Sequence, residues 1–316
     1  MRALMLDGAV RYRHDYPMPT GSGDEVLVRV LLAGVCETDL QLVRGYMGYS
    51  GVLGHEFVGV AESGPYAGRR VVGEINCACG TCALCRRGLP THCANRTVIG
   101  ILRHDGAFAD YVLVPQRNLH LVPDALPNEV AVFTEPVAAA FQVLVQVPVQ
   151  DTDRVVVLGD GRLGNLCAQV LAGVTPHLLV VGKHAAKLAL LNARGIRTAL
   201  LRDAEADHAA DVVVDCTGSD TGLPTALGYV RPRGTIVLKT TVAGTQTLAW
   251  APFVIDEITL VGSRCGPFDR ALAALGRGDV DVRPLIQARL PLERGVEALE
   301  LARQRLKVLV EVSRES

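Results

Sequence analysis

The sequence predicts an α/β protein whose second half is a parallel sheet wrapped by helices. Two observations carry that reading. The stretch "DRVVVLGDGRLGNLCAQVLAG" runs from a β-branched segment, Val155 to Leu158, through close-set glycines into helical spacing at Leu163, Leu166, Ala168 and Leu171. Strand-like runs then recur at "HLLVVG", "DVVVDCTG" and "GTIVLKTT" with helical stretches between them, the alternation from which parallel sheets are built. A third observation sets the first half apart: "CACGTCALCRRGLPTHC", residues 77 to 93, holds five of the nine cysteines.

The glycines of the second half, Gly159, Gly161 and Gly164, have the G-x-G-x-x-G spacing of a Rossmann dinucleotide fingerprint, and they follow a strand and open a helix as that fingerprint requires. They permit a tight turn and a close backbone approach. The helix start, with Arg162 and Leu163, then offers unpaired N–H groups to a pyrophosphate. A doubly wound domain that binds some other ligand, or none, is the alternative. At the end of the second strand an acidic side chain would bind the adenosine ribose hydroxyls, but the sequence there reads Gly182-Lys183-His184. With no local carboxylate, and with Lys183 and His184 able to neutralise a 2'-phosphate, NADP(H) is expected over NAD(H).

In the first half, Cys79, Cys82, Cys85 and Cys93 form a C-x2-C-x2-C-x7-C pattern. The chain has 316 residues, a formal net charge of -1 and 21% charged residues, so nothing favours nucleic acid or an anionic membrane. Charges interrupt every apolar window of the opening stretch, and residues 131 to 149 carry Glu135, Gln142, Gln146 and two prolines, so neither a secretory signal nor a membrane span is expected. A cytoplasmic location follows, where thiols stay reduced and clustered cysteines point to metal before disulfides. Four thiolates suit a closed, structural zinc site. An iron–sulfur cluster, a redox relay or a nucleic-acid-binding zinc ribbon would use similar spacing, though the last needs a basic surround that this chain lacks. Cys77 is left over. The cluster is architecture, and chemistry must lie elsewhere.

Three more fragments carry metal-competent side chains: Cys36 in "GVCETDLQLVRG", His55 in "VLGHEFVGV" and Glu135 in "TEPVAAAF". Singly, each has an ordinary reading as a buried thiol, a loop histidine and a helix N-terminal charge. Together with the cysteine lobe, the glycine motif, "DGAFADYVLVP" from Asp105 and "VGSRCGPF" from Val261, they resemble the zinc-dependent medium-chain dehydrogenase/reductase family along essentially the whole chain.

The resemblance implies a mostly β GroES-like catalytic domain at residues 1–136 and 263–316, a Rossmann domain at 137–262, and an active site in the cleft. It implies a catalytic zinc held by Cys36, His55 and Glu135, with Glu56 as an exchangeable or supporting ligand, and Asp39 accepting the other ring N–H of His55. Thr38 would hydrogen-bond the oxygen of an alcohol, aldehyde or ketone substrate. Lys187 would contact the adenosine ribose and Arg264 the nicotinamide end. Relatives pair as dimers or tetramers, so a homo-oligomer is expected. Gln41 stands where many relatives have a relay histidine, and Glu37 adds a charge beside the cofactor path. Tyr46, Met47 and Tyr49 are candidates for the substrate wall, and Cys167, Cys216 and Cys265 read as packing residues. Two other functions share the fold: a zinc-independent reductase of the quinone oxidoreductase type, and a non-catalytic NADPH-binding protein.

Overall fold

The computed structural model describes residues 1–21, 23–240 and 247–313. The chain divides into two compact units, Met1–Glu135 with Val282–Ser316, and Pro136–Asp281. The division falls later than the expected boundary at residues 262 and 263. The helix Phe268–Arg277 and the turn after it belong to the second unit, and hydrogen bonds explain why. The Gln169 side chain donates to the Asp281 carbonyl (3.0 Å) and accepts from the Asp281 N–H (2.8 Å). Arg194 donates to the Asp279 carbonyl at 2.9 Å.

The first unit is built on the strand Glu25–Gly34, whose sequence EVLVRVLLAG alternates at first and becomes continuously apolar where both faces are buried. It pairs antiparallel with Glu56–Ala61, Tyr111–Pro115 and Lys307–Glu311. Val28, Val30, Phe108, Val308 and Val310 are fully buried around it. The register matters for function. Gly34 faces Glu56 on one side and Leu309 on the other, so both neighbouring strands deliver side chains to the point where the central strand ends. The chain then turns into the helix Glu37–Val43, with Cys36 as its N-cap residue.

The second unit holds a six-stranded sheet, parallel throughout, in the order Arg197–Leu200, Leu178–Gly182, Val155–Leu158, Ala210–Asp215, Val230–Leu238, Thr259–Gly262. Val155–Leu158 is buried at all four positions, which its run of three valines and a leucine anticipates. Chain order reverses direction across this strand, and such switch points open a crevice at the carboxyl ends of the strands. The helix Arg162–Ala172 starts there, after the glycine loop.

Candidate active site

Donor atoms of Cys36, His55 and Glu56 all lie within 4.8 Å of one another. His55 and Glu56 are buried and Cys36 is partly so. Local structure explains the cluster. Asp39, fully buried, accepts from the Cys36 N–H (2.8 Å) and the Gly54 N–H (3.3 Å), tying the helix start to the segment before His55. Its other contact is electrostatic: His55 Nδ1 lies 3.3 Å from Asp39 Oδ1, without hydrogen-bond geometry. Burial works to lower the His55 imidazole, but the charges of Asp39 and Cys36 outweigh it and hold the ring well above the usual histidine range. A ring that attracts a proton this strongly also attracts a metal cation.

Glu56 is paired with Lys307, a lysine only 1% exposed that reaches in from the far strand. The ammonium also donates to the Val35 carbonyl at 3.3 Å and stands 5.2 Å from the Phe133 ring centroid. Burial pushes it down to about 8. A Cβ on Gly34 would lie 2.6 Å from Glu56 Oε2 and 2.8 Å from Lys307 Cε, so only glycine leaves room for the pair.

The donor set fits zinc. Among the described residues, the buried Glu56 Oε1 has no hydrogen-bond partner, which is costly unless something satisfies it, and with His55 Nδ1 turned to Asp39 the other ring nitrogen is left for a metal. A thiolate, an imidazole and a carboxylate are all zinc ligands, and three protein ligands leave a position open. Glu135 stands in the first turn of the helix Thr134–Gln146, half-buried, and is outside this group of three. Thr38 Oγ1 is 3.8 Å from Cys36 Sγ. Gln41 donates to Glu37 at 2.9 Å, so the two departures from the family pattern are bonded to each other. Of the three wall candidates, Tyr46 and Met47 are exposed. Tyr49 is tied down, its hydroxyl 2.7 Å from the Val52 carbonyl and 2.9 Å from that of His104.

Cys79, Cys82, Cys85 and Cys93 converge as their spacing predicts. Their sulfurs approach to 3.5 Å (Cys82–Cys85 and Cys79–Cys93) and 3.7 Å (Cys82–Cys93), too long for disulfides. The edge of a thiolate tetrahedron around zinc is about 3.8 Å, so the cage has zinc dimensions. Backbone N–H groups of Thr81 and Cys82 pull the Cys79 thiol down to about 5, favouring the ligating form.

In the second unit, Gly159 takes φ of +112°, and a Cβ on Gly164 would lie 2.1 Å from the Gly159 carbonyl oxygen. A Cβ on Gly161 would meet nothing within 4 Å, so the side facing away from the protein is open. The replacement Gly164→Ala should cost roughly 1–3 kcal/mol of stability in urea unfolding, because backbone cannot yield as a side chain can. Arg162 and Leu163 are half-buried at the helix start, Lys187 is half-buried on the next helix, and Lys183 and Arg264 are exposed. His184 is tied to a carboxylate. Its ring Nδ1 is 3.0 Å from Asp160 Oδ1 and its N–H donates to Asp160 Oδ2 at 2.5 Å. The NADP(H) preference read from Lys183 and His184 assumed that no carboxylate stands at this strand end. The fold brings one there from inside the glycine motif.

Lys307 and Asp160 were thus missed by sequence reasoning, as was the approach of Cys167 and Cys216, whose sulfurs are 3.8 Å apart. Lys307 does leave a signal, a lone cation opening the apolar run "KVLVEV".

A cysteine–histidine–glutamate cluster, a four-cysteine cage and a dinucleotide fold define a class, the zinc-containing nicotinamide-type dehydrogenases. Comparison with known proteins agrees. Residues 22–124 match the alcohol dehydrogenase GroES-like domain and residues 164–276 the zinc-binding dehydrogenase domain, between them more than half of the chain. The chain is 28% identical to sorbitol dehydrogenase of Halalkalibacterium halodurans over 85% of its own length and 86% of that protein. It is 36% identical to the starvation-sensing protein RspB of Escherichia coli K12, over 50% of this chain and 49% of that one. Two crystal structures match with TM-scores of 0.88 at 25% identity. One is a Sinorhizobium meliloti 1021 protein bound to NADP (98% of this chain, 99% of that one), the other the short chain alcohol dehydrogenase rspB of E. coli CFT073 complexed with NADH (99% of each). The chain belongs to the zinc-type medium-chain dehydrogenase/reductase family.

Proposed function

We propose that this protein is a zinc-dependent oxidoreductase that exchanges a hydride between a nicotinamide dinucleotide and an alcohol or its carbonyl counterpart. The single observation behind this reading is the convergence of Cys36, His55 and Glu56, with the buried Glu56 Oε1 lacking a hydrogen-bond partner among the described residues. When bound, zinc supplies Lewis acidity that lowers the pKa of a substrate hydroxyl, and the nicotinamide accepts or returns the hydride.

The residues of the chain do the rest. Cys36 and His55 would hold the ion in every version of the site. Glu56 would be the third ligand in the arrangement described here, and Glu135 is the candidate to replace or join it, in which case Glu56 would remain the ion-pair partner of Lys307. Asp39 orients His55. Its replacement Asp39→Asn is expected to weaken zinc retention about 10–100-fold, read by competition with a chromogenic chelator. Thr38 is the group to hydrogen-bond the substrate oxygen and pass its proton outward. Gln41 cannot titrate near neutrality and is bonded to Glu37, so it would not carry that proton further. Cys79, Cys82, Cys85 and Cys93 would hold a second, structural zinc.

The partner is a second copy of this chain. Thr259–Gly262 is an edge strand of the parallel sheet, and nearby Trp250, Val254, Ile255 and Leu260 are 64%, 76%, 77% and 38% exposed. An open sheet edge beside such side chains favours pairing with its own kind. Light scattering should return at least twice the chain mass. A cytoplasmic location remains our reading; no helix among the described residues is long and apolar enough to cross a membrane.

Turnover of a panel of alcohols and ketones, followed by nicotinamide absorbance, tests the function. Activity that a chelator abolishes and zinc restores supports it. Activity untouched by removal of all zinc would sink it.

A further inference from the structure

The carboxylate of Asp160 stands where a side chain on residue 182 would stand. A Cβ built on Gly182 would lie 2.6 Å from both the Cβ and Oδ2 of Asp160, although Gly182 has no positive φ that would require glycine. The cause is the neighbouring strand. Leu158 pairs with Val181, and the Gly159 N–H donates to the Val181 carbonyl at 2.8 Å, so the residue after Gly159 arrives beside the tip of Leu178–Gly182. Gly182 and Asp160 are therefore a coupled pair: the glycine makes room and the aspartate fills it.

That carboxylate is held in place. The His184 N–H donates to Oδ2, and the His184 ring Nδ1 lies 3.0 and 3.1 Å from the two oxygens. The aspartate side chain is 7% exposed and the histidine side chain 57%. The neighbouring Lys183 is exposed. In dinucleotide folds the tip of this strand receives the adenosine ribose, whose two hydroxyls an acid accepts and whose 2'-phosphate an acid repels. The His184 ring, which could otherwise have faced a phosphate, is already engaged by Asp160 through Nδ1.

We infer that Asp160 selects the cofactor, accepting the adenosine ribose hydroxyls in place of an acid at residue 182 and making the protein specific for the dinucleotide without a 2'-phosphate, NAD(H). The inference rests on the dinucleotide reading of this crevice proposed above. It reverses the preference expected from the linear sequence, in which a carboxylate 22 positions upstream of Gly182 has no visible connection with it.

Equilibrium titration with NADH and with NADPH, read by nicotinamide fluorescence, tests it on the zinc-loaded protein. Wild type should bind NADH tighter than NADPH by about tenfold or more. Asp160→Asn, which keeps the shape and removes the charge, should shrink that ratio about tenfold, mainly by tighter NADPH binding. The double variant Asp160→Gly/Gly182→Asp, which returns the acid by the other route, should restore the NADH preference. A wild type that prefers NADPH overturns the inference. So does a ratio unchanged in Asp160→Asn, or a loss of affinity equal for both cofactors, which is what a purely structural aspartate would give. Binding of neither dinucleotide to wild type would instead overturn the underlying reading of the crevice, and the inference with it.

Discussion

Replacing Cys36 by serine is expected to abolish turnover while leaving the fold intact. Lewis-acid stabilisation is worth several kcal/mol, so kcat should fall by about three orders of magnitude or more. The fold should survive because Cys36 is half-exposed and caps the helix Glu37–Val43, a position that serine fills at least as well. Metal analysis should then find one zinc fewer per chain, and thermal unfolding should be nearly unchanged. Full activity in a variant that has lost that zinc would refute the catalytic role given to Cys36.

The second large effect is expected at the other cysteine site and has the opposite character. Cys93 is fully buried in a lobe that has little core of its own, only short pieces such as Ala83–Arg86 and the two-stranded pair of Asn76–Cys77 with Thr97–Val98. Zinc binding to such sites contributes roughly 10–16 kcal/mol to folding. Cys93→Ser should therefore open the lobe. Arg86 and Arg87, now fixed in and just after a helical turn, should become sites of rapid tryptic cleavage. The catalytic zinc should remain, because its ligands sit on the Glu25–Gly34 and Glu56–Ala61 strands and their flanks. Protease resistance equal to wild type would show that the lobe does not depend on metal.

Much of the fold could be read from local pattern. The glycine loop was visible because strand, tight turn and helix follow one another within a few residues, and each has its own periodicity. The cysteine cage was visible because its ligands are close in sequence. Cys36, His55 and Glu135 lie in separate fragments, and only the resemblance to a family joined them. The structure gathers Cys36, His55 and Glu56, since Gly34 pairs with Glu56 and the chain leaves the sheet at Val35. Lys307 escaped notice because its partner is 251 residues away, joined to it only by the register of Lys307–Glu311 on the central strand. Asp160 escaped for a subtler reason. Specificity at a strand end is usually sought along that strand, but here the side chain crosses from the adjacent one. The late boundary at Asp281 has a similar cause, a glutamine on one helix bonding both main-chain groups of a residue 112 positions away.

Anomalous diffraction at the zinc edge, from crystals of protein shown to be active, tests the metal assignment most directly. Two peaks per chain are predicted, one inside the Cys79, Cys82, Cys85 and Cys93 cage and one touching Cys36 and His55. A single peak in the cage, in protein that still turns over substrate, would contradict it.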